Sequence, residues 1–255
     1  DLILKSDYFH TIEENRKILH YDKSDEIWKY FGHIIIEKLC QEMIDKCKKH
    51  TVQEVLETIS RKTFIPMSKI TESRVISALD GVLNPKTFEI TDHSHENLTT
   101  TKLPFNFECK VKNEKLWNHI LNIIEDKDIK IIKELIWIGI SQNNSFKKCF
   151  IFKGKPNTQK TALVHIIAEI IGKDNVAFEK ARRILHPESR FGINKLVDKR
   201  LNFAEEIGNM DNAMLETLKS LIGGAEQNTE RKNDNANYMV DPTEMAFVFG
   251  TNNLG

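Results

Sequence analysis

Residues 149–171 are the stretch that constrains the fold most, because three different patterns follow one another within it. The run CFIF at 149–152 is short and apolar, as in a buried strand. The turn-rich segment GKPNTQKT follows at 154–161, and then comes a run with apolar residues at helical spacing that ends at Gly172. A strand, a loop and a helix in this order are the context of a phosphate-binding loop, because backbone N–H groups and the helix N-terminus then face the anion.

The loop matches the pattern G-x-x-x-x-G-K-[ST] at Gly154, Lys160 and Thr161, but Gln159 occupies the position of the second glycine. Glycine at this position permits a positive φ and a close approach to phosphate. A side chain there strains the loop by about 1–3 kcal/mol if a positive φ is needed. In the intact pattern Lys160 reaches the β- and γ-phosphates and Thr161 holds Mg²⁺. Taken alone, the altered motif fits an ordinary loop as well as a nucleotide site.

Two later apolar runs end in polar residues that suit the same chemistry. LNFAEE at 201–206 ends in Glu205 and Glu206, and MAFVFGTNN at 245–253 contains Asn252. In nucleotide hydrolases one acid after a buried strand orients Mg²⁺ and another polarises the attacking water, so we assign Glu205 to the metal and Glu206 to the water. Asn252 is expected to contact the water or the γ-phosphate if its strand lies beside the loop strand. The alternatives are a surface acid pair and a simple turn.

Composition limits the classes of partner. The chain has 37 basic and 37 acidic residues, so there is no global basic field and any DNA binding must use local patches. No apolar run approaches the roughly 20 residues of a membrane span, and no signal peptide is visible. Four cysteines without C-x-x-C pairing are interpreted as reduced thiols.

The chain starts at Asp1 and stops at Gly255 just after a strand-like run, so we interpret it as a fragment of a longer protein.

The upstream half combines a hairpin with helices. Residues 7–21 contain two short apolar runs around the polar EENR and predict a hairpin. Apolar residues at helical spacing over 32–49 and 52–61 make residues 22–75 a small, mostly helical unit, and two more helices are predicted in 113–142. The aromatic residues of the N-terminal region are interpreted as a small core rather than as a base-stacking surface; they are Tyr8, Phe9, Tyr21, Trp28, Tyr30 and Phe31.

Four elements stand in order along the chain: GKPNTQKT, NFAEE, LKSLIGGAEQNTERK and VFGTNN. Their order, spacing and chemistry resemble the superfamily 3 helicases, which are AAA+ replication helicases of small DNA viruses, phages and plasmids. The residues that agree with the family's motifs, apart from the two acids, are Pro156, Asn157, Thr158, Lys160, Thr161, Leu218, Lys219, Gly223, Gly224, Arg231, Lys232, Thr251 and Asn252. Gln159 departs from the family's pattern. Upstream, DGVLNPKTFEI at 80–90 and TTTKLPFNFE at 99–108 resemble segments of the poxvirus- and phage-type primase-helicases.

The resemblance implies an α/β fold. An AAA+ P-loop core, with a parallel sheet flanked by helices, would occupy residues 109–255 and would be truncated after the sensor strand. A small, mostly helical α+β domain would precede it at residues 1–108. Buried strands are expected at 149–153, 200–204 and 245–249, with nucleotide at their carboxyl ends.

The resemblance also implies an ATP-dependent DNA helicase module that uses ATP and Mg²⁺ and forms a hexameric ring around DNA in the full-length protein. A primase domain is expected upstream, the arginine finger beyond Gly255, and the location is the host cytoplasm or a viral replication site, without a membrane partner. Lys160, Glu205, Glu206 and Asn252 would be catalytic, and Thr161 and Glu205 would hold the metal. Nucleotide would be bound by Gly154, Pro156, Asn157, Thr158, Gln159, Lys160 and Thr161. DNA would be contacted by Lys219, Arg231 and Lys232, the latter two in a hairpin around 225–240.

The departure at Gln159 leaves an alternative open. The loop would then have lost hydrolysis, and the chain would be a catalytically weakened or inactive module that binds ATP, assembles and docks on DNA.

Overall fold

The computed structural model describes residues 2–72, 75–108, 114–186, 192–224, 227–230 and 237–252. The chain divides into two compact units, one formed by residues 1–77 and 81–102 and the other by residues 78–80 and 103–255. The elements up to residue 91 are α1 (Leu2–Ser6), β1 (Phe9–Ile12), β2 (Ile18–Asp22), β3 (Ile27–Lys29), α2 (Gly32–Met43), α3 (Lys49–Lys62), β4 (Phe64–Ile65), α4 (Met67–Glu72), β5 (Ile76–Ala78), β6 (Gly81–Leu83) and β7 (Ile90–Thr91).

The first unit is built around a four-stranded sheet of order β3-β2-β1-β4. Strands β1 and β2 pair antiparallel, as do β2 and β3, whereas β1 and β4 are parallel. The β1–β2 pair confirms the hairpin predicted for residues 7–21. The description of this region as mostly helical is incomplete, because it leaves out the central sheet. Its strands are two to five residues long, which is too short for a clear alternating pattern.

Alternation along β2 divides the apolar side chains between two clusters. Ile18 faces a cluster with Ile36 and Ile59 of the helices α2 and α3, whereas Leu19 joins a cluster with Trp28. Successive side chains of a strand point to opposite faces, so this short sheet supports a core on each side. Among the aromatic residues predicted to form a core, Phe9, Tyr21 and Trp28 are buried, while Tyr8 is exposed over 42% of its surface.

The second unit contains a parallel sheet. Its helices and strands are α5 (Glu114–Ile123), α6 (Ile129–Ser141), β8 (Cys149–Lys153), α7 (Lys160–Ile171), β9 (Val176–Ala177), α8 (Ala181–Leu185), β10 (Leu201–Ala204), α9 (Asn212–Ile222), β11 (Gln227–Glu230), β12 (Asn237–Val240) and β13 (Ala246–Thr251). The sheet order is β8-β13-β10-β9, and all of its pairings are parallel. The three strands predicted near residues 149, 200 and 245 are confirmed as β8, β10 and β13.

Helices cover both faces of this sheet. Val248 of β13 belongs to a core cluster that includes Leu135 of α6 and Ile167 of α7. The next residue, Phe249, belongs to a second cluster that includes Leu185 of α8 and Met214 of α9. A parallel sheet needs apolar cover on both faces, which explains why its strands are nearly continuous apolar runs. The architecture is therefore α/β, with helices on either side of a four-stranded parallel sheet.

Strands β11 and β12 form an antiparallel pair apart from this sheet. They lie in the region where the resemblance places a hairpin. Arg231 and Lys232, the predicted DNA contacts between them, lie outside the described residues. Among the helices that the structure describes, none has both the length and the apolar character needed to cross a bilayer.

Candidate nucleotide-binding site

The order of the strands brings the predicted site residues to one edge of the parallel sheet. Strand β13 lies between β8 and β10 and pairs with both. Because the carboxyl ends of parallel strands share an edge, the loop after β8, Asn252 after β13 and the acid pair after β10 all emerge there. The condition set for Asn252, that its strand lies beside the loop strand, is met.

Lys160 is the first residue of α7, and its ammonium group lies within the preceding loop. Its Nζ donates hydrogen bonds to the carbonyl oxygens of Gly154 at 2.6 Å and Lys155 at 3.0 Å. It also donates to Oδ1 of Asn252 at 3.0 Å. A second tie joins the same two segments, because the N–H of Gly154 donates to the carbonyl oxygen of Thr251 at 3.2 Å. The loop lysine and the strand-end amide are therefore in direct contact, although they are far apart in the sequence.

Gln159 adopts the left-handed conformation that the phosphate-loop pattern assigns to glycine. Its φ is 61° and its ψ is 18°, and it precedes the first helical residue of α7. Asn157 also has a positive φ, of 64°. The left-handed conformation costs a residue with a side chain about 1–2 kcal/mol. The loop thus has a left-handed residue where the pattern has its second glycine, and the side chain of Gln159 makes this conformation costly.

Gly154 is needed for a steric reason. A Cβ atom at this position would lie 2.6 Å from Oγ1 of Thr158, which donates to the carbonyl oxygen of Lys155 at 2.8 Å. The hydroxyl of Thr158 therefore closes the turn of the loop against a backbone that lacks a side chain. This contact explains why the first glycine of the pattern is kept although the second is replaced.

The acid pair follows β10 directly and is fixed in place through its backbone. Glu205 and Glu206 have exposed side chains, whereas the preceding Ala204 is fully buried. The carbonyl oxygen of Glu205 lies so close to Gly250 of β13 that a Cβ atom on that glycine would collide with it. One step further on, the N–H of Ile207 donates to the carbonyl oxygen of Gly250 at 2.9 Å. The backbone of both glutamates is thus held at the end of the sheet, beside the strand that leads to Asn252.

A single cleft of about 1400 Å³ unites these groups. Residues 156–161, both glutamates and Asn252 all line it. Gly154 stands half-buried at the start of the loop, and Lys219 is exposed near the end of α9 and is not among the residues that line the cleft. The structure therefore brings together the predicted nucleotide-binding and catalytic residues, and it separates Lys219 from them.

Several residues that sequence reasoning did not assign to a site also line the cleft, and four of them carry aromatic or basic side chains near α7 and α8: His165, Phe178, Lys180 and Arg182. His165 comes four residues after Thr161 on α7, so helical spacing could have placed it on the same face. The other three follow β9 or begin α8, and β9 has only two residues, so no strand pattern marked their position.

The donor groups of the cleft fit a nucleotide with Mg²⁺. The hydroxyl of Thr161 and the carboxylates of Glu205 and Glu206 supply oxygen ligands, which Mg²⁺ prefers. The first turn of α7 offers backbone N–H groups and the positive end of a helix dipole to an anion. The Lys160 ammonium already has oxygen partners around it in the loop, so phosphate oxygens match its chemistry.

Comparison with known proteins agrees with the fold. Residues 152–254 match a sequence family described as a family of unknown function, DUF5906, and this segment contains the loop, the acid pair and Asn252. An A-form apo structure of the C-terminal region of NrS-1 is similar, with a TM-score of 0.56, 15% identity, and coverage of 99% of this chain and 55% of that one. Another apo structure of the same region has a TM-score of 0.57 and 16% identity, with coverage of 98% and 55%. A search of curated proteins finds no match.

The chain therefore spans about half the length of the NrS-1 region to which it is similar. At these identities, the likeness establishes that the two share a fold. The segment matched by the sequence family coincides with the part of the chain that builds the cleft.

Proposed function

We propose that the chain is an ATP-dependent DNA helicase module of the superfamily 3, AAA+ type, acting in the replication of a virus, phage or plasmid. The observation that carries the proposal is the 3.0 Å hydrogen bond from Lys160 Nζ to Asn252 Oδ1, in a cleft that both glutamates line. Four groups with complementary roles toward one triphosphate converge there. In the full-length protein the module would form a hexameric ring on DNA, with a primase domain upstream, in the host cytoplasm or at a viral replication site.

Each residue has a separate task in the proposed reaction. Bound ATP with Mg²⁺ supplies phosphoryl transfer to water as the energy source. Lys160 neutralises charge on the phosphates, and Thr161 and Glu205 offer oxygen ligands to the metal. Glu206 polarises the attacking water, and the amide of Asn252 orients that water or the terminal phosphate oxygens.

A specific observation favours a second candidate function. Gln159 carries a side chain in a left-handed conformation at the entrance to α7, where glycine is the unstrained choice. If this strain or the side chain itself prevents productive phosphate binding, the chain is a module that binds ATP weakly or without hydrolysis, assembles and docks on DNA. Hydrolysis distinguishes the two candidates.

The test is ATP hydrolysis with and without single-stranded DNA, measured for the wild type, Lys160→Ala and Glu206→Gln. The helicase proposal predicts turnover that DNA stimulates, with a loss of about 100-fold or more in each variant, because each removes a group that stabilises the transition state. Lys155→Ala is the matched control, since it removes an exposed lysine of the same loop. Equal turnover in the wild type and Lys160→Ala would reject the proposal, and ATP binding without turnover in the wild type would favour the second candidate.

A further inference from the structure

The cleft is larger than one nucleotide requires. Small-molecule sites commonly measure about 300–1,000 Å³, whereas this cleft measures about 1400 Å³. The loop, the glutamates and Asn252 account for the ligands of a triphosphate. The rest of the lining includes Phe203, residues 207–211 and Met214, together with His165, Phe178, Lys180 and Arg182; we call these last four the aromatic-basic section.

The aromatic-basic section lies near Thr161, the proposed metal ligand of the phosphate site. His165 is four residues beyond Thr161 on α7, which places both on one face of the helix, about 6 Å apart along its axis. Thr161 is a proposed metal ligand, and a bound Mg²⁺ would neutralise charge on the phosphates there. The base of a nucleotide is attached at the opposite end of the triphosphate. The aromatic-basic section is therefore left for a different ligand.

Phe178 offers that ligand a flat apolar surface. Its side chain is 48% exposed although it is large and apolar. It stacks on His165, with ring centroids 5.4 Å apart and an angle of 28° between the planes. The buried Phe203 meets it edge-on, at 6.3 Å and 84°. A ring supported in this way loses little freedom on binding, and an exposed aromatic face is what an unpaired base stacks on.

The neighbours of Phe178 explain why Lys180 is directed to the same side. Glu179, between them, is buried, and its carboxylate lies 2.7 Å from Nζ of Lys195 and 3.6 Å from Arg183. The backbone of Glu179 exchanges two hydrogen bonds with the side chain of Asn202, at 2.9 and 3.3 Å. Because extended backbone alternates its side chains, fixing Glu179 on one side leaves its neighbours on the cleft side.

The cations of this region are divided into two pairs. Arg183 and Lys195 share the charge of Glu179. Lys180 and Arg182 line the cleft with exposed side chains, and neither side chain forms a hydrogen bond or an ion pair within the ranges that the structure describes. Two cations without a carboxylate partner beside a supported aromatic ring suit an anionic ligand that carries bases.

We propose that single-stranded nucleic acid binds in the aromatic-basic section, with a base stacked on Phe178 and backbone phosphates on Lys180 and Arg182. The inference rests on the proposed function and deepens it, because it assigns nucleic-acid contacts to residues outside the set Lys219, Arg231 and Lys232. It also places the nucleic acid next to Thr161 and the nucleotide's proposed metal site, where binding of one ligand should change the affinity for the other.

The experiment measures binding of fluorescently labelled oligo-dT and oligo-U to the intact chain by anisotropy, at several salt concentrations. Phe178→Ala should weaken binding by about tenfold, because one stacked base is lost, and Phe178→Trp should retain it. Lys180→Ala/Arg182→Ala should make the negative slope of log affinity against log salt less steep by about 1.4, which is about 0.7 for each phosphate contact of a single strand. Lys115→Ala/Lys130→Ala removes the same charge from exposed positions that do not line the cleft and should leave the slope unchanged.

Affinity for MgATP, measured in parallel, separates failure of this inference from failure of the proposed function. If the double variant loses ATP affinity but keeps oligonucleotide affinity, these cations belong to the nucleotide site and the inference is overturned. Oligonucleotide affinity and salt slope that are the same in the wild type and all cleft variants overturn it as well. If Lys160→Ala leaves ATP affinity intact, the proposed function fails whatever the oligonucleotide results. Binding of oligo-dT or of oligo-U that is lost in the variants supports the site, and the stronger of the two identifies which of these polymers it prefers.

Discussion

The conformation of single residues decides whether this loop can bind phosphate. Gln159 has a φ of 61°, so the chain keeps a positive φ where its sequence lacks the usual glycine. Lys160 then starts α7 with its ammonium group directed back into the loop. The same geometry that favours phosphate binding therefore imposes a cost of about 1–2 kcal/mol on the side chain at position 159.

Replacing Gln159 with glycine tests this cost. Gln159→Gly should leave the fold intact and change the free energy of unfolding by less than about 1 kcal/mol, because relief of the left-handed strain is offset by the greater freedom of glycine in the unfolded chain. We expect MgATP affinity, measured by titration calorimetry, to increase. A decrease in affinity would show that the Gln159 side chain contributes to binding, and Gln142→Gly, at another left-handed position, is the control.

Asp22 of the first unit leads to a prediction about how the stability of the fold changes at acid pH. Partial burial raises the pKa of its carboxyl, but hydrogen bonds from Lys29, from the side chain and N–H of Ser24 and from the N–H of Asp25 outweigh burial and hold the pKa well below its usual range. Because the pKa of Asp22 is lower in the folded state, its ionised carboxylate contributes fully to stability at pH values above about 4, which is the usual pKa of an aspartate. This contribution is lost as the pH falls toward the folded pKa.

Asp22→Asn should therefore lower the free energy of unfolding by about 1–3 kcal/mol at pH 7, the usual worth of hydrogen bonds to a charged group. Its stability should fall less steeply than that of the wild type between pH 5 and pH 2. Denaturant unfolding at a series of pH values provides the measurement, with the exposed Asp45→Asn as the control. Parallel pH profiles for Asp22→Asn and the wild type would contradict this account of Asp22.

Secondary-structure elements place the groups that we propose to be catalytic, because the order β8-β13-β10 sets β13 between the loop and the acids. Close packing of β13 on the segment after β10 fixes the distance between the loop and the acids. At Gly250 this packing leaves no room for a side chain, since a Cβ atom would collide with the carbonyl oxygen of Glu205. The position of the acid pair therefore depends on a glycine in a neighbouring strand.

Gly250→Ala should push the Glu205 backbone away from β13. We expect a loss of about 1–3 kcal/mol in the free energy of unfolding, as for overpacking of a core, and a larger fractional loss of ATP hydrolysis than of ATP affinity. Gly208→Ala is the control, because nothing lies within 4 Å of its Cβ position and only its positive φ, of 61°, is strained. Equal turnover in Gly250→Ala and the wild type would mean that this contact does not position the acids.

The sequence predicted the elements of the sheet better than those of the first unit, for a physical reason. The central strand β13 is buried throughout and coincides with a continuous apolar run, MAFVF. The run CFIF of β8 is equally apolar, although burial alternates along it and Ile151 is exposed, and both runs are visible without structural information. The strands of the first unit are short and their sheet includes a parallel contact between β1 and β4, far apart in the chain. Phe178, Lys180 and Arg182 were missed because no local sequence pattern marks them. Tertiary contacts of Glu179 and Asn202 direct them to the cleft.

At the scale of the whole molecule, the chain consists of two compact units, each with its own buried clusters. Separate cores give each unit its own source of stability. The equal numbers of acidic and basic residues leave no overall field to attract nucleic acid, so the nucleic-acid binding that we propose must depend on local groups such as Lys180 and Arg182.

Matched core truncations test whether the two units unfold separately. Ile36→Ala in the first unit and Leu135→Ala in the second each remove a fully buried aliphatic side chain and should cost about 2–5 kcal/mol. By differential scanning calorimetry each variant should lower the midpoint of one thermal transition by about 10 °C or more and leave the other nearly unchanged. A single transition that moves equally in both variants would show that the units unfold as one.

Titration calorimetry of the intact chain with ATP and Mg²⁺, compared between the wild type and Lys160→Ala, tests most directly whether these residues meet at one triphosphate. The wild type should bind with one-to-one stoichiometry, and Lys160→Ala should bind at least about tenfold more weakly, because it loses a charge-assisted contact to phosphate. The control Lys155→Ala should bind like the wild type. Equal affinity in the wild type and Lys160→Ala, or binding by neither, would contradict the assignment of the cleft as a nucleotide site.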